Sequence, residues 1–364
     1  MAPRLELDSK TLRLILISFL ILAGLTVHRL FFAGLPDQQE VLIFDGETMG
    51  TTYQVRIAGD DLTNELRQSV ELTIQNRLTE VDGWMSNWNR ESEISQFNQY
   101  QETDSFPVSF ATAELITLAI EINKATFAAF DITIGPLVAL WGFGNEAQID
   151  DPPTQAEIDE LLKHTGARIL SVGRGNPTHG GFLEKKTPET RIDLSAIAKG
   201  YGVDHVAAGL FDLGRRSFLI EIGGEIRASG ERPGGGAWRV AVEKPNEEGR
   251  AIQTIVELRD QAMATSGDYR IFYHQDDRRI SHTIDPRTGR PVEKGPASAT
   301  TLHRSATIAD AWATALMVMG EDGLDLAERA GIAAMLMWRN DDGSFAIRKN
   351  GLFPKDAISI EKSN

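Results

Sequence analysis

From Ala167 onward, short stretches that suit β-strands follow one another with little helix between them. No other feature of the sequence constrains its fold as much. The stretches are ARILSVG, TRIDLS, SFLIEIGGEIRASG, WRVAVEK, AIQTIVEL, YRIFYH and ASATTLHR, closed by AAMLMW and SFAIRK. They are rich in β-branched and aromatic residues and are bounded by turn residues. Helical patterns interrupt them only at 196–214, at 307–319 and at GLDLAERAG. This order argues against alternating βαβ units and predicts an α+β fold of mostly antiparallel sheet with packed helices.

The first half of the chain adds helices. EVLIFDGETMGTTYQVRIAG reads as a strand pair broken at 46–50. Apolar residues spaced by four predict an amphipathic helix over 62–81. PVSFATAELITLAIEINKAT predicts a second, more fully buried helix. In TQAEIDELLKHTG, Thr154 and Glu157 have capping-box spacing and Gly166 closes a short helix. The paired glycines of EIGGEIRASG suggest a bulge or a close ligand approach in mid-strand, and ERPGGGAW a hairpin tip or mobile loop.

The formal net charge of −15, with no dense basic block after the first residues, argues against nucleic-acid binding. Any bound phosphate must then be held by a few local groups or by a cation. The chain has no cysteine, which excludes disulfides, thiolate metal sites, thiol catalysis and a lipid anchor on cysteine. Arg4, Lys10 and Arg13 precede the apolar run LILISFLILAGLTV. Residues 1–36 are therefore expected to be an uncleaved membrane anchor or a cleaved signal segment, with the anchor preferred because large residues crowd Ala33. Residues 40–356 form the expected functional domain and 357–364 a short tail.

Several stretches carry candidate chemistry. In TIADAWATALMVMG, Asp310 and Thr314 stand one turn apart on one helix face. Thr307 and Asp310 have the spacing of a helix cap, so Asp310 reads either as a cap or as a ligand of a hard cation, with Thr314 beside it. RIDLSAIAKGYGVD reads as a strand entering a helix through a small-residue turn suited to an anion, flanked by Asp193 and Lys199. It is neither a Walker A nor a G-x-G-x-x-G sequence. His282, in SHTIDPRTGRPV, is a candidate proton acceptor or phosphate ligand.

Eight ordered phrases, GETMGTTYQVRI, MSNWNRESEISQFN, FDITIGPLVALWGFG, IDLSAIAKGYGVD, IGGEIRASG, ATSGDYR, SHTIDPRTGRPV and DAWATALMVMG, span roughly 45–320. Together they resemble the ApbE-type flavin transferases. The resemblance implies two lobes of mostly antiparallel sheet with packed helices and an FAD site between them. It implies an exported FAD:protein FMN transferase that uses Mg²⁺ to attach FMN through a phosphoester to a threonine or serine hydroxyl, releasing AMP. The implied target is a flavoprotein subunit of a membrane redox complex, such as an NADH:quinone reductase or an Rnf-type complex, and the implied place is the periplasmic side of the bacterial inner membrane. Carried over by position, Asp310, Thr314 and the Ala196 carbonyl are Mg²⁺ ligands. Met49, Trp88, Ala129, Phe130, Asp131, Asp193, Lys199 and Ile284 contact FAD. His282 stands near the reacting phosphate and is expected to take the acceptor's proton, directly or through Asp285 or a water; His282, Asp285 and Lys199 form the expected catalytic set. Trp88 stands where the family commonly has tyrosine, and Gly202 where it has alanine. Two rival readings are an FAD pyrophosphatase with water as acceptor and a non-catalytic exported flavin-binding protein.

Overall fold

The computed structural model describes residues 40–59, 61–143, 152–246, 249, 251–269, 271–275, 278–355 and 357–359. The anchor or signal segment expected over 1–36 lies outside the described residues. Among the described residues no helix is long and apolar enough to cross a membrane.

The helices are α1 (Asn64–Met85), α2 (Glu93–Gln99), α3 (Phe110–Ala125), α4 (Gly135–Leu140), α5 (Gln155–Leu162), α6 (Ala198–Asp212), α7 (Ala306–Met319) and α8 (Gly323–Arg329). The strands that build the main sheet are β1 (Glu40–Thr48), β2 (Thr51–Gly59), β6 (Phe218–Ile222), β7 (Glu225–Ser229), β10 (Gln261–Gly267), β15 (Ser298–His303), β16 (Ala333–Arg339) and β17 (Phe345–Lys349). They lie in the order β1-β2-β6-β7-β10-β15-β16-β17, and every neighbouring pair is antiparallel. The α+β architecture expected from the sequence is the one observed.

The period of two along each strand gives the sheet two buried faces. On β10, Ala262 and Ala264 face the helices while Met263 joins the core on the opposite side. That second face is covered by β8 (Trp238–Glu243) and β9 (Ile252–Leu258), whose Trp238, Val240, Val256 and Leu258 meet Met263, Leu302, Met335 and Met337. On the helical face, Ala264 meets Ala309 and Ala313 of α7. Side chains this small let the helix lie close on the sheet, which draws the neighbouring Asp310 and Thr314 towards β10. Helix α1 packs outside α6, with Val70, Ile74 and Leu78 buried against Val203, Val206 and Leu210.

Two smaller parts flank the main sheet. Strands β3 (Phe106–Val108), β4 (Leu170–Asn176) and β5 (Gly180–Lys185) make a second antiparallel sheet beside α3. A satellite core of Leu137, Trp141, Ile158 and Ile284 joins α4, α5 and the hairpin of β13 (Ile284–Asp285) and β14 (Arg290–Pro291). The Trp141 indole N–H fastens it by donating to the Gly289 carbonyl at 2.8 Å.

The structure corrects several local readings. TRIDLS is not a strand. Its backbone is paired by the Asn98 carboxamide, which bonds Ile192 N at 2.7 Å and Ile192 O at 2.8 Å, and by Ile132 O, which accepts from Asp193 N at 2.7 Å. EIGGEIRASG is two strands, β6 and β7, and its glycines form the turn between them rather than a mid-strand bulge, with both lining a large cleft. Gly223 and Gly224 have φ of +58° and +101°, which suits a two-residue hairpin loop. Of the two readings of ERPGGGAW, the hairpin tip fails: the stretch is a loop that carries the chain from β7 in the main sheet to β8 in the covering sheet. The expected capping box at Thr154 and Glu157 is present, but Gly166 does not close that helix: α5 ends at Leu162, and Gly166, with φ of +109°, leads into the 3-10 turn Ala167–Ile169.

Candidate functional site

A cleft of about 1170 Å³ opens between the helical face of the main sheet and the satellite core. Its size exceeds the roughly 300–1,000 Å³ usual for small-molecule sites, which suits a dinucleotide. The β6–β7 turn, the end of β10, the first turn of α6, the middle of α7 and the loop after α3 all contribute to its wall.

Asp310 lies in this wall and is 2% exposed. It does not cap its own helix. The N-cap of α7 is Ser305, whose hydroxyl accepts from Ile308 N. The first turn of α7 is held instead by Asp204 of α6, whose carboxylate accepts from Ala306 N, Thr307 N and the hydroxyls of Ser305 and Thr307. Asp310 returns the contact: its Oδ2 accepts from Gly200 N at 3.0 Å. Helix α6 has no side-chain cap from its own N-cap, Ile197. The Thr314 hydroxyl lies in the cleft one turn along and shares a 3.2 Å hydrogen bond with Ser266 on β10. Ala196 lines the same cleft just before α6.

A second buried carboxylate, Glu225, is also 2% exposed and places Oε1 2.6 Å from the Lys199 ammonium. Burial raises the proton affinity of both Glu225 and Asp310, while Lys199 lowers it for each. Two buried carboxylates thus share one lysine. Among the described residues no group of three or more His, Asp or Glu side chains converges to hold a metal ion. A cation here would be gripped by one carboxylate with hydroxyl and carbonyl oxygens, an all-oxygen set that suits Mg²⁺. The surplus negative charge and the chemistry of these donors both fit such an ion.

Asp193 and Lys199 flank the turn into α6, as the sequence suggested, and both line the cleft. Asp193 Oδ1 accepts from Ser195 N at 2.8 Å and from the Ser195 hydroxyl, which fixes the turn locally. Trp88 lies at the cleft with 70% of its surface exposed, an aromatic plate open to a stacking partner. Ala129, Phe130, Asp131 and Ile284 line it as well. Asp131 is saturated within the protein by Thr133 N at 2.8 Å, the Thr133 hydroxyl at 2.6 Å, Asn123 Nδ2 at 3.0 Å and Ala167 N at 3.2 Å. It locks the segment that follows Phe127 and Ala128, which have φ of +51° and +61°.

His282 lines the cleft and its Nδ1 lies 3.1 Å from the Ile271 carbonyl. A carbonyl only accepts, so Nδ1 carries the hydrogen and Nε2 keeps its lone pair. Burial lowers the imidazole's proton affinity.

Two of the residues singled out from the sequence stand apart. Asp285 does not line the cleft, and its carboxylate is clamped by Arg287 through Nε and Nη2, both at 2.8 Å. Met49 does not line it either. It sits in the β1–β2 turn with φ of +50° and packs behind α6, where a Cβ on Gly202 would lie 3.0 Å from its Cε. The sequence reading passed over Glu225 and Ser266, although it picked out both of their stretches. Paired glycines followed by an acid were the available signal for Glu225.

The ApbE family model matches residues 49–336. The FAD:protein FMN transferase of Vibrio cholerae is 42% identical over 315 residues, covering 86% of this chain and 92% of that one. The FAD:protein FMN transferase of Escherichia coli is 37% identical over 330 residues, covering 88% and 92%. Among solved structures, the flavin transferase ApbE from Vibrio cholerae superposes with a TM-score of 0.78 at 40% identity, covering 88% of this chain and all of that one. The apo flavinyl transferase ApbE of Pseudomonas stutzeri gives a TM-score of 0.76 at 35% identity, covering 86% and 96%.

Proposed function

This chain belongs to the ApbE family and is a flavin-transferring enzyme, and we propose that it uses Mg²⁺ to move the FMN half of FAD onto a threonine or serine hydroxyl of a target flavoprotein, with AMP as the leaving group. One observation carries this reading. Asp310, Thr314, Ala196, Lys199 and His282, drawn from three separate stretches of sequence, line a single cleft of dinucleotide size.

Asp310, Thr314 and the Ala196 carbonyl would hold Mg²⁺, which when bound neutralises the diphosphate and stabilises charge on the transferred group. Lys199 adds a positive charge at the mouth of α6, and Asp193 orders the turn beside it. Trp88 offers a face for one of the two aromatic ring systems. In the transfer step the acceptor oxygen bonds to the FMN-side phosphorus as the phosphorus–oxygen bond to AMP breaks, and the bonding electrons leave with AMP. The hydroxyl proton passes to Nε2 of His282, the ring nitrogen with a free lone pair. Asp285, held by Arg287, enters no step. On this reading the segment over 1–36 tethers the enzyme at the periplasmic face of the inner membrane, where a flavoprotein subunit of a redox complex is the acceptor.

The test is mass spectrometry of a hydroxyl-bearing acceptor protein incubated with FAD and Mg²⁺. The acceptor should gain the mass of FMN on threonine or serine as AMP appears. His282→Ala should still bind FAD but transfer about a hundredfold more slowly or worse. FMN released to water with no gain on any acceptor would identify a hydrolase instead.

A further inference from the structure

Glu225 takes no part in the transfer step, yet the fold goes to some length to place it. The Gly223–Gly224 turn is closed by Glu221, whose Oε1 accepts from Gly224 N at 2.6 Å. This sets Glu225 as the first residue of β7 with its carboxylate against Lys199. A Cβ on Gly223 would lie 3.2 Å from Lys199 Cδ and 2.8 Å from Thr51 Cγ2, so the turn leaves the passage that the lysine stem occupies. Glu225 Oε2 is buried without a hydrogen-bond partner. An unpartnered buried carboxylate oxygen is costly and calls for a reason.

Charge supplies the reason. Lys199 is the second residue of α6, next to Gly200, whose N–H donates to Asp310. The ammonium lies in the field of both buried carboxylates, and its 2.6 Å contact is with Glu225. Asp310 is the other buried carboxylate whose proton affinity Lys199 lowers. We propose that Glu225 is a positioning residue that holds the Lys199 ammonium off Asp310, so that the Asp310 carboxylate keeps its charge for a divalent cation. This rests on Asp310 being a cation ligand.

With Glu225 ionised against the Lys199 ammonium at 2.6 Å, the three groups carry one net negative charge. Glu225→Gln leaves the trio neutral, Lys199→Met leaves two negative charges, and the double variant returns to one. Cation affinity follows that order if Glu225 acts through charge. The measurement is Mn²⁺ binding to the full-length protein, followed by the electron paramagnetic resonance of free Mn²⁺ with no FAD present. Glu225→Gln should bind about tenfold more weakly than wild type and Lys199→Met about tenfold more tightly. The double variant should return to within about threefold of wild type. A merely structural Glu225 gives a loss in Glu225→Gln that Lys199→Met does not rescue, which overturns the proposal. So does unchanged binding in Glu225→Gln while Asp310→Asn abolishes it, an outcome that leaves Asp310 as a ligand. Wild-type binding that Asp310→Asn does not affect overturns both. If Glu225→Gln loses cooperative thermal unfolding, Lys199→Met decides alone, and unchanged or weaker binding there overturns the proposal.

Discussion

Asp204 and Asp310 cap each other's helices. Asp204, on α6, receives two backbone N–H groups and two hydroxyls at the start of α7; Asp310, on α7, receives Gly200 N at the start of α6. The exchange fixes the two helices that carry Lys199 and Thr314 relative to one another. It also gives Asp310 a structural duty beside its chemical one, and the two can be separated.

Asp310→Asn keeps an oxygen for Gly200 N and removes the charge. We expect its unfolding free energy to stay within about 1 kcal/mol of wild type. Flavin transfer should fall about a hundredfold or more. Asp310→Ala also strands the Gly200 N–H and should lose a further ~1–3 kcal/mol of stability. Denaturant unfolding beside a transfer assay decides the matter. Full activity in Asp310→Asn would reduce Asp310 to a cap.

Asp204 is the purely structural half of the exchange. Its carboxylate also pairs with Arg227, so Asp204→Ala leaves several donors and a guanidinium without an acceptor. A loss of about 2–4 kcal/mol is expected in denaturant unfolding. A loss below about 0.5 kcal/mol would mean that water replaces the carboxylate at the α7 start.

Gly200 tests how closely α6 and α7 must approach. An added Cβ would lie 2.3 Å from the Ala306 carbonyl oxygen and 2.8 Å from Asp310 Cβ, and backbone cannot step aside. Gly209, on the same helix, would meet Thr73 Cγ2 at 2.6 Å, the tip of a side chain on α1. Alanine gains about 1 kcal/mol in helix propensity at either position. Gly200→Ala should nonetheless lose about 1–3 kcal/mol and weaken cation binding, and Gly209→Ala should be the milder change. Equal stability of the two variants would show that the helices separate freely.

What the sequence revealed follows from which interactions are local. The capping box at Thr154, the β1–β2 pair and the buried α3 are set by spacing within a few residues, and all three were legible. The strand pattern gave the antiparallel class, because alternation survives whatever the strand order. TRIDLS failed because its backbone partners, Asn98 and Ile132, come from distant segments that no local pattern encodes. Asp310 was ambiguous for the same reason: its spacing to Thr307 mimics a cap, while its true partner lies 110 residues away. Within the site, the ordered phrases pointed to most of the cleft wall. Glu225 stayed hidden because the glycine pair reads as a mid-strand bulge or a close ligand approach, and only a turn delivers an acid to Lys199.

His282 gives the pH dependence. Burial lowers its proton affinity; the bond to the Ile271 carbonyl and the charge of Asp268 oppose this, and Lys199 and Arg279 add to it. The net displacement is downward, so the folded ring titrates below the ordinary histidine value of about 6.5. Only the neutral ring can take the acceptor's proton. Transfer should hold a plateau above the folded pKa and fall as pH drops through it, placing the acid limb of kcat/KM below about 6.5. Stability moves the same way. The unfolded chain binds this proton more tightly, so the contribution is complete above the unfolded value and declines as pH falls below it. His282→Gln should lower the plateau about a hundredfold or more and abolish the limb. A limb that persists in His282→Gln, or one centred above about 6.5 in wild type, assigns the base to another group.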